Sequence, residues 1–299
     1  MIAFPPSYRP QLFFSEPARA RPQIWRTLLG IGLIVLLYAA FLAALFFLLR
    51  LRYGVVLAEA IRFAMLRGES PGMAVMLLCS FLGAGLGPIA AVRLIHGRRA
   101  GSLFGPPRRL LGDMRAAATG VMALSAPFLA IALTDDSLQR GLGTGDFLVY
   151  LPFALLGLLI QTGAEELIFR AYLQQQLAAR FRSPLVWMFV PALLFTLGHY
   201  APATYGASAP YVLIWALLFG LLAADLTART GTIGAAWGFH FANNATAFLF
   251  IGSGKNLGGL SLWIQPVGLA QAADPLPAIL VQCAMLTCSW LAARIALRR

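Results

Sequence analysis

The feature that most constrains this chain is a series of apolar runs, each about as long as a bilayer is thick. A helix needs about 20 apolar residues to cross a hydrocarbon core of about 30 Å. Hydrophobic residues make up 60% of the 299 residues and charged residues 11%, whereas soluble domains carry about 25% charged residues. We therefore predict an all-α polytopic membrane protein, a bundle of about eight transmembrane helices. The predicted spans are 27–49, 73–95, 115–134, 147–170, 184–203, 209–227, 231–251 and 275–297.

The segments around the first span have a different character. Residues 1–23 contain several prolines and arginines without periodicity, which predicts a cytoplasmic tail, and 24–299 then form a single transmembrane domain. The first apolar run is too long for a signal peptide and no small-residue cleavage site follows it, so we expect a retained anchor. Residues 51–69 are too polar to cross, and their helical spacing of apolar residues predicts an amphipathic helix in the interface. The spaced residues are Tyr53, Leu57, Ile61 and Met65.

The net charge of +12 comes almost entirely from arginine, and Lys255 is the only lysine. In a soluble protein this balance indicates nucleic-acid binding. Here most arginines flank the apolar runs, so topology and anionic lipid headgroups explain them, and we expect no nucleic-acid partner. Their distribution predicts that both termini are cytoplasmic, although Arg50, Arg52, Arg62 and Arg67 oppose this orientation. The use of arginine instead of lysine favours a bacterial inner membrane.

Two adjacent acids, Glu165 and Glu166, lie inside the fourth predicted span. One charge near the centre of a bilayer costs roughly 2.5–3.5 kcal/mol, so an ionisable residue there is by default a candidate functional site. Glu166 and Arg170 are four residues apart on one helical face and can form an ion pair. Glu165 points about 100° away and is left unpaired, as a general base requires. A purely structural ion-pair cluster between helices remains an alternative.

Two further polar clusters interrupt the fifth and seventh predicted spans. Phe195 and His199 share one helical face, and His240 and Asn244 share another. Two hydrogen-bond donors on one face can stabilise negative charge developing on a carbonyl oxygen. Such residues can also be plain contacts between helices, worth about 0.6 kcal/mol each. Asn243 points to a neighbouring face and is expected to be structural.

Depth in the membrane decides whether the three clusters can meet. Distances along each helix follow from the rise of 1.5 Å per residue, counted from the predicted cytoplasmic end. Glu165 and His199 then lie at about 22 and 24 Å, and His240 and Asn244 at roughly 14–20 Å. We therefore expect the clusters at a similar level inside the membrane.

These motifs together resemble a known family. EExxxR, then FxxxH, then HxxxN, on separate apolar helices, are similar to the CPBP intramembrane proteases, which comprise type II CAAX prenyl endopeptidases and the Abi family of bacteriocin-processing and self-immunity proteins. The resemblance covers about 147–251 and implies a hydrolase, a glutamate-dependent endopeptidase acting on a membrane protein or lipidated peptide. The motif residues are Glu165, Glu166 and Arg170, then Phe195 and His199, then His240 and Asn244.

The resemblance also implies a role for each motif residue. Glu165 is the general base that activates a water, and His199 positions and polarises that water. His240 and Asn244 form the oxyanion hole around the scissile carbonyl. The residues that support the site structurally are Glu166 and Arg170.

Metal dependence is a separate expectation. The family is often labelled metalloprotease, and Glu165, His199 and His240 would then be the zinc ligands. Catalytic zinc sites often take two histidines from one short helical motif, whereas these histidines lie on separate helices. We therefore expect no metal cofactor.

Two other functions remain open. Intramembrane glutamate and histidine chains also build proton relays, so a proton-coupled transporter is one alternative. One compact polar cluster and the absence of a visible inverted repeat count against it. The other alternative is a non-catalytic membrane scaffold or immunity protein that keeps the fold.

Overall fold

A computed structural model describes residues 5–253, 258–265 and 274–299 of the chain. Six helical stretches in these residues are long and apolar enough to cross a membrane, which confirms the predicted all-α polytopic class. Their outer faces expose large apolar side chains such as Leu36 and Phe47, as lipid contact requires. The six stretches are Ile24–Arg67, Pro71–Leu94, Ala100–Ala132, Thr144–Arg180, Pro202–Thr230 and Leu276–Leu297.

Twelve α-helices are present in the described ranges. They are α1 (Arg9–Ser15), α2 (Ile24–Arg67), α3 (Pro71–Ser80), α4 (Leu82–Leu94), α5 (Pro107–Ala132), α6 (Thr144–Glu166), α7 (Gln175–Arg180), α8 (Val190–Gly198), α9 (Pro202–Tyr205), α10 (Ala209–Thr230), α11 (Gly234–Ala245) and α12 (Leu276–Leu297). Three π-helical segments extend them. Leu167–Gln174 joins α6 to α7, Leu185–Phe189 precedes α8, and Thr246–Phe250 follows α11.

Two of the eight predicted spans are short helices. The span predicted over 184–203 is the apolar helix Leu185–Gly198, which is about 21 Å long at 1.5 Å per residue. The span predicted over 231–251 is α11 with its π-helical extension. His199 directly follows α8, and α11 carries His240 and Asn244. Both helices pack against longer ones, α8 against α10 and α11 against α5, α6 and α10. The longer helices thus surround the short ones that carry much of the site.

Helix α2 combines the first predicted span with the segment predicted to be interfacial, in 44 residues. Gly54 interrupts it with φ 77° and ψ 168°, a conformation essentially restricted to glycine. Beyond this break, Ala58 and Met65 are buried and Val56 is exposed. The segment after Gly54 therefore has one face against the bundle and one face turned outward.

Helix α11 approaches α5 closely because two of its glycines face that helix. A side chain at Gly234 would collide with the backbone of Leu110, and one at Gly238 with the backbone of Met114. Both pairs are four residues apart, so one helical face of each partner is in contact, as in small-xxx-small packing between membrane helices. This contact sets the rotation of α11 and with it the direction in which His240 points.

A three-stranded sheet joins parts of the chain that flank the site helices. Strand β1 (Gln139–Arg140) pairs antiparallel with β3 (Trp263–Gln265), and β3 pairs in parallel with β2 (Ile251–Ser253). Gln139 lies opposite Ile264, and Ile251 lies opposite Trp263. Since β1 precedes α6 and β2 follows the extension of α11, backbone hydrogen bonds link these two helices at one end.

The described part of the N-terminal segment is ordered on the bundle, whereas the sequence predicted an aperiodic tail. Helix α1 packs against α7 and α10. Phe14 is buried in the core, and Gln174 donates a hydrogen bond of 3.1 Å to the side-chain oxygen of Gln11. Tyr8 donates one of 2.7 Å to Asp225. The partners of this segment lie far along the chain, so periodicity within it carries no sign of the contact.

Candidate active site

The first motif lies where α6 passes into a π-helical segment. Helix α6 ends at Glu166, and the π-helical segment Leu167–Gln174 carries Arg170. Segments of this kind are frequent at functional sites in helices. The motif thus sits at a local change of helical winding, inside the fourth of the predicted spans.

The predicted ion pair between Glu166 and Arg170 is present. Arg170 Nε lies 3.3 Å from Glu166 Oε2, and both side chains are essentially inaccessible. The guanidinium also faces the rings of Phe195 and Phe219, at 4.9 and 5.8 Å from their centroids. Aromatic faces attract a cation, so both the carboxylate and the rings compensate this buried charge.

Glu165 has different surroundings from its neighbour. Its side chain is 12% exposed, against 0% for Glu166. One carboxylate oxygen, Oε1, accepts a hydrogen bond of 2.8 Å from Gln161, while Oε2 accepts none from the described residues. Oε2 is itself inaccessible, so what distinguishes Glu165 from Glu166 is that part of the Glu165 side-chain surface is exposed.

His240 contacts both glutamates. Its Nδ1 lies 2.8 Å from Glu166 Oε1, and its Nε2 lies 3.6 Å from Glu165 Oε2. An ionised carboxylate only accepts hydrogen bonds, so Nδ1 carries a proton and donates it to Glu166. In that arrangement Nε2 can donate a hydrogen bond only when the ring is an imidazolium. The sequence predicted a common depth for His240 and Glu165 but gave no sign of the bond to Glu166.

Asn244 reaches Glu165 through a residue that the sequence reasoning missed. The side-chain nitrogen of Asn244 donates to Gln161 Oε1 at 3.0 Å, and Gln161 Nε2 donates to Glu165. Gln161 is buried, with 8% of its surface exposed. The available signal was its position four residues before Glu165 in a run of apolar residues.

His199 lies just beyond the last residue of α8, not within the helix. Its Nδ1 is 2.9 Å from the carbonyl oxygen of Phe195. Because a carbonyl only accepts, Nδ1 donates this bond and Nε2 remains an acceptor. The centroid of the His199 ring lies 4.3 Å from that of Phe195, with the rings tilted by 37°. The same phenylalanine meets the His240 ring edge to face, with 6.3 Å between the centroids. The two histidines thus border one aromatic side chain, whereas a direct bond from His199 to Glu165 is absent among the described contacts.

The alternative zinc ligands do not form a metal-binding group. Within the described ranges, no three histidine, cysteine, aspartate or glutamate side chains are arranged to hold a metal ion. His240 Nδ1 is committed to Glu166, and His199 Nδ1 to its own helix.

Known proteins similar in sequence to this chain indicate its family. Residues 147–246 match the sequence model of the family described as type II CAAX prenyl endopeptidase Rce1-like. The chain is 28% identical over 247 residues to "Uncharacterized protein YyaK" of Bacillus subtilis (strain 168), a match that covers 80% of this chain and 81% of that relative. No solved structure matches. The matched residues contain all three polar motifs, which confirms the resemblance of this part of the chain to the CPBP family.

Proposed function

We propose that this protein is an intramembrane endopeptidase that uses Glu165 to activate a water. The observation that carries the proposal is the contrast between the two acids. Glu166 is inaccessible and lies between Arg170 and His240, whereas the side chain of Glu165 is 12% exposed. A general base must reach its water, and only Glu165 meets that condition.

The proposed reaction begins with proton transfer from the water to Glu165 as the water oxygen attacks the scissile carbonyl carbon. The carbonyl oxygen becomes an oxyanion, which His240 and Asn244 stabilise by hydrogen bonds. The C–N bond then breaks, and Glu165 returns the proton to the leaving amine. His199 accepts a hydrogen bond from the water through Nε2, which orients the water oxygen toward the carbonyl.

The role of His240 requires a definite protonation state. Its Nδ1 proton goes to Glu166, so stabilisation of an oxyanion from Nε2 requires the imidazolium. Two carboxylates, one guanidinium and one imidazolium then sum to zero charge, which suits a site surrounded by apolar helices. Glu166 therefore holds two cationic partners, Arg170 and His240, and fixes the orientation of the second.

The substrate class follows from the surroundings of the site and from the family. The helices that carry the site are apolar and the protein is an integral membrane protein. We propose a substrate that enters from the lipid bilayer, either a membrane-associated protein or a prenylated or otherwise lipidated peptide, as in CAAX processing. No nucleic acid takes part. The reaction uses no metal, so a chelator is expected to leave cleavage intact, and zinc-restored activity after chelation would contradict this.

The direct test is cleavage by the purified protein in liposomes. The probes are an internally quenched farnesylated peptide with a CAAX-type end and its unprenylated counterpart. Glu165→Ala and His199→Ala should abolish cleavage while the protein still inserts and folds. Glu69→Ala removes an exposed glutamate that is distant from Glu165 in the sequence. It serves as the matched control and should keep wild-type activity.

Membrane peptidomics covers substrates that the two probes do not represent. Membranes from cells with the wild-type protein should contain peptides that are absent with Glu165→Ala. Identical peptide sets and no probe cleavage would overturn the proposal. Liposome proton or ion flux that depends on Glu165 would instead establish the transporter, and full biological function of Glu165→Gln would establish the scaffold or immunity protein.

We also propose that the protein resides in a bacterial inner membrane with both termini in the cytoplasm. The flanking arginines support this orientation. A C-terminal fusion to a fluorescent protein that folds in the cytoplasm should fluoresce. A C-terminal fusion to a phosphatase that folds only outside should be inactive, and the reverse pair of results would invert the topology.

A further inference from the structure

The side chain of Gln161 joins two residues of the proposed catalytic machinery that lie on different helices. It lies on α6, one turn before Glu165, and faces Asn244 of α11. We propose that Gln161 is a positioning residue that holds the general base and the oxyanion donor in the relative placement that attack requires. This inference rests on the proposed endopeptidase function.

The hydrogen bonds run in one direction through the amide. Asn244 Nδ2 donates to Gln161 Oε1 at 3.0 Å, and Gln161 Nε2 donates to Glu165 Oε1 at 2.8 Å. An amide side chain can donate and accept at once without carrying charge. Oε1 of Glu165 is therefore held as the acceptor of this bond, while Oε2 is inaccessible and lies 3.6 Å from His240 Nε2. Gln161 thereby holds the carboxylate in one orientation.

The same contact fixes the orientation of Asn244. An amide can otherwise turn its oxygen or its nitrogen toward the substrate. Gln161 Oε1 requires the nitrogen of Asn244 on its side, so one N–H is bonded to Gln161 and the second N–H remains for the oxyanion. A substrate carbonyl then meets a donor and not an acceptor.

Two cross-helix links together set the spacing between α6 and α11 at the site. Glu166 bonds His240 at 2.8 Å, and Gln161 bonds Asn244. Gln161 and Glu166 lie on either side of Glu165 in the sequence, so the base is held between the two links. A misplacement of about 1 Å in such a site can cost roughly 100-fold in rate. A plain contact between membrane helices would instead contribute only about 0.6 kcal/mol to stability.

The test compares Gln161→Leu and Gln161→Glu with Thr162→Val, all in liposomes with the quenched farnesylated peptide. Thr162 is buried on the same helix, and its hydroxyl donates to the carbonyl oxygen of Leu158, one turn earlier in that helix. Its variant therefore controls for loss of a buried polar group. Gln161→Leu should lower kcat roughly 10- to 100-fold, with KM within about threefold and with a melting temperature like that of Thr162→Val. Unchanged kcat for Gln161→Leu would overturn the inference.

The Gln161→Glu variant gives a signature that a packing role would not produce. A protonated carboxyl can still accept from Asn244 and donate to Glu165, whereas an ionised one repels Glu165 and cannot donate. The kcat of this variant should therefore recover toward the wild-type value as the pH falls. A pH profile identical to that of the wild type would contradict the positioning role.

A chemical readout makes the test independent of cleavage. Dicyclohexylcarbodiimide modifies protonated carboxyl groups in membranes, and mass spectrometry reports labelling at Glu165. His240 Nε2 lies 3.6 Å from the same carboxylate and is unchanged in the variant. Loss of the Gln161 donor leaves Oε1 of Glu165 without its hydrogen bond, so the extent of labelling at a given pH should differ between Gln161→Leu and the wild type. Identical labelling profiles would overturn the inference.

Different results would contradict the endopeptidase function and the positioning role of Gln161. Wild-type cleavage by Glu165→Ala would remove the proposed function and the positioning role with it. An inactive Glu165→Ala together with a fully active Gln161→Leu would remove only the role of Gln161.

Discussion

At the scale of single residues, Glu165 and Glu166 are identical in chemistry and opposite in surroundings. Glu166 is inaccessible, forms an ion pair with Arg170 and is hydrogen-bonded to His240. Glu165 is partly exposed and bonded to the neutral Gln161. One acid is thus part of the interior structure, and the other remains available for a reaction. Each should respond differently to loss of its charge.

Substitution of the two acids by glutamine separates stability from chemistry. Glu166→Gln leaves Arg170 without its counter-ion in the interior, and breaking a buried pair in this way costs about 3–5 kcal/mol. We expect a melting temperature several degrees lower, measured by size-exclusion chromatography after heating. Glu165→Gln should keep the wild-type melting temperature and lose cleavage. Equal melting temperatures for the two variants would contradict this separation.

The sequence predicted part of this site for clear physical reasons. Helical spacing alone placed Glu166 beside Arg170, and polar residues in lipid are costly enough to be conspicuous. The bond from His240 to Glu166 joins residues 74 apart in the chain, and the bond from Asn244 to Gln161 joins residues 83 apart. Such contacts depend on how helices rotate against each other, which periodicity within one helix does not determine.

At the scale of elements, the contact of α11 with α5 determines the direction in which the His240 side chain points. Gly238→Val would force a side chain against the backbone of Met114, and overpacking of this kind costs about 1–3 kcal/mol. We expect a lower melting temperature together with reduced cleavage, because α11 must rotate or move away. Gly112→Ala is the matched control, since Gly112 lies on α5 with open space around it and should keep wild-type stability or exceed it.

Helix ends were the least predictable feature at this scale. Hydropathy extended the fifth span to residue 203, but α8 ends at Gly198 and His199 turns back onto Phe195. Gly198 and Pro202 are local signals for the end of a helix, but hydropathy over a long window does not register them. The seventh span similarly passes into a π-helical segment and then a strand.

At the scale of the whole molecule, Asp225 joins three separate parts of the chain. It accepts hydrogen bonds from Tyr8 at 2.7 Å and from Trp290 of α12 at 3.0 Å, and it pairs with Arg229 at 2.8 Å. Asp225→Ala should therefore lower the melting temperature by several degrees, since it leaves three donors without an acceptor. Asp135→Ala, at an exposed position, is the control and should melt like the wild type.

Acid sensitivity is a further property of the whole fold. Burial, reinforced by the nearby charges of Arg98, Arg26 and Arg21, lowers the pKa of His96 to about 4. His96 lies two residues beyond α4 and contacts the hydroxyl of Tyr172 at 3.0 Å. The unfolded chain takes up this proton near pH 6.5 and the folded one only near pH 4, so acid favours unfolding.

The corresponding measurement follows the melting temperature from pH 7 to pH 4. The wild type should lose stability as the pH falls below about 6.5, and His96→Gln should lose less over the same interval. Parallel curves for the two proteins would contradict a neutral, buried His96. Comparison at pH 7 separates this effect from any packing defect of the variant.

Global class was predictable from the sequence, whereas the N-terminal packing was not. The length and number of apolar runs predicted a bundle of membrane helices, because soluble domains carry a much larger share of charged residues. Helix α1 has seven residues, too few for a periodic signal, and is held by contacts with α7 and α10.

The small sheet has a consequence for how this sequence can diverge. Its strands flank the two helices that carry Glu165 and His240, and they are joined through main-chain groups. Because every residue except proline supplies the same backbone donor and acceptor, this tie does not depend on particular side chains. Relatives can therefore exchange most residues in these strands and still keep the two halves of the site in a common frame.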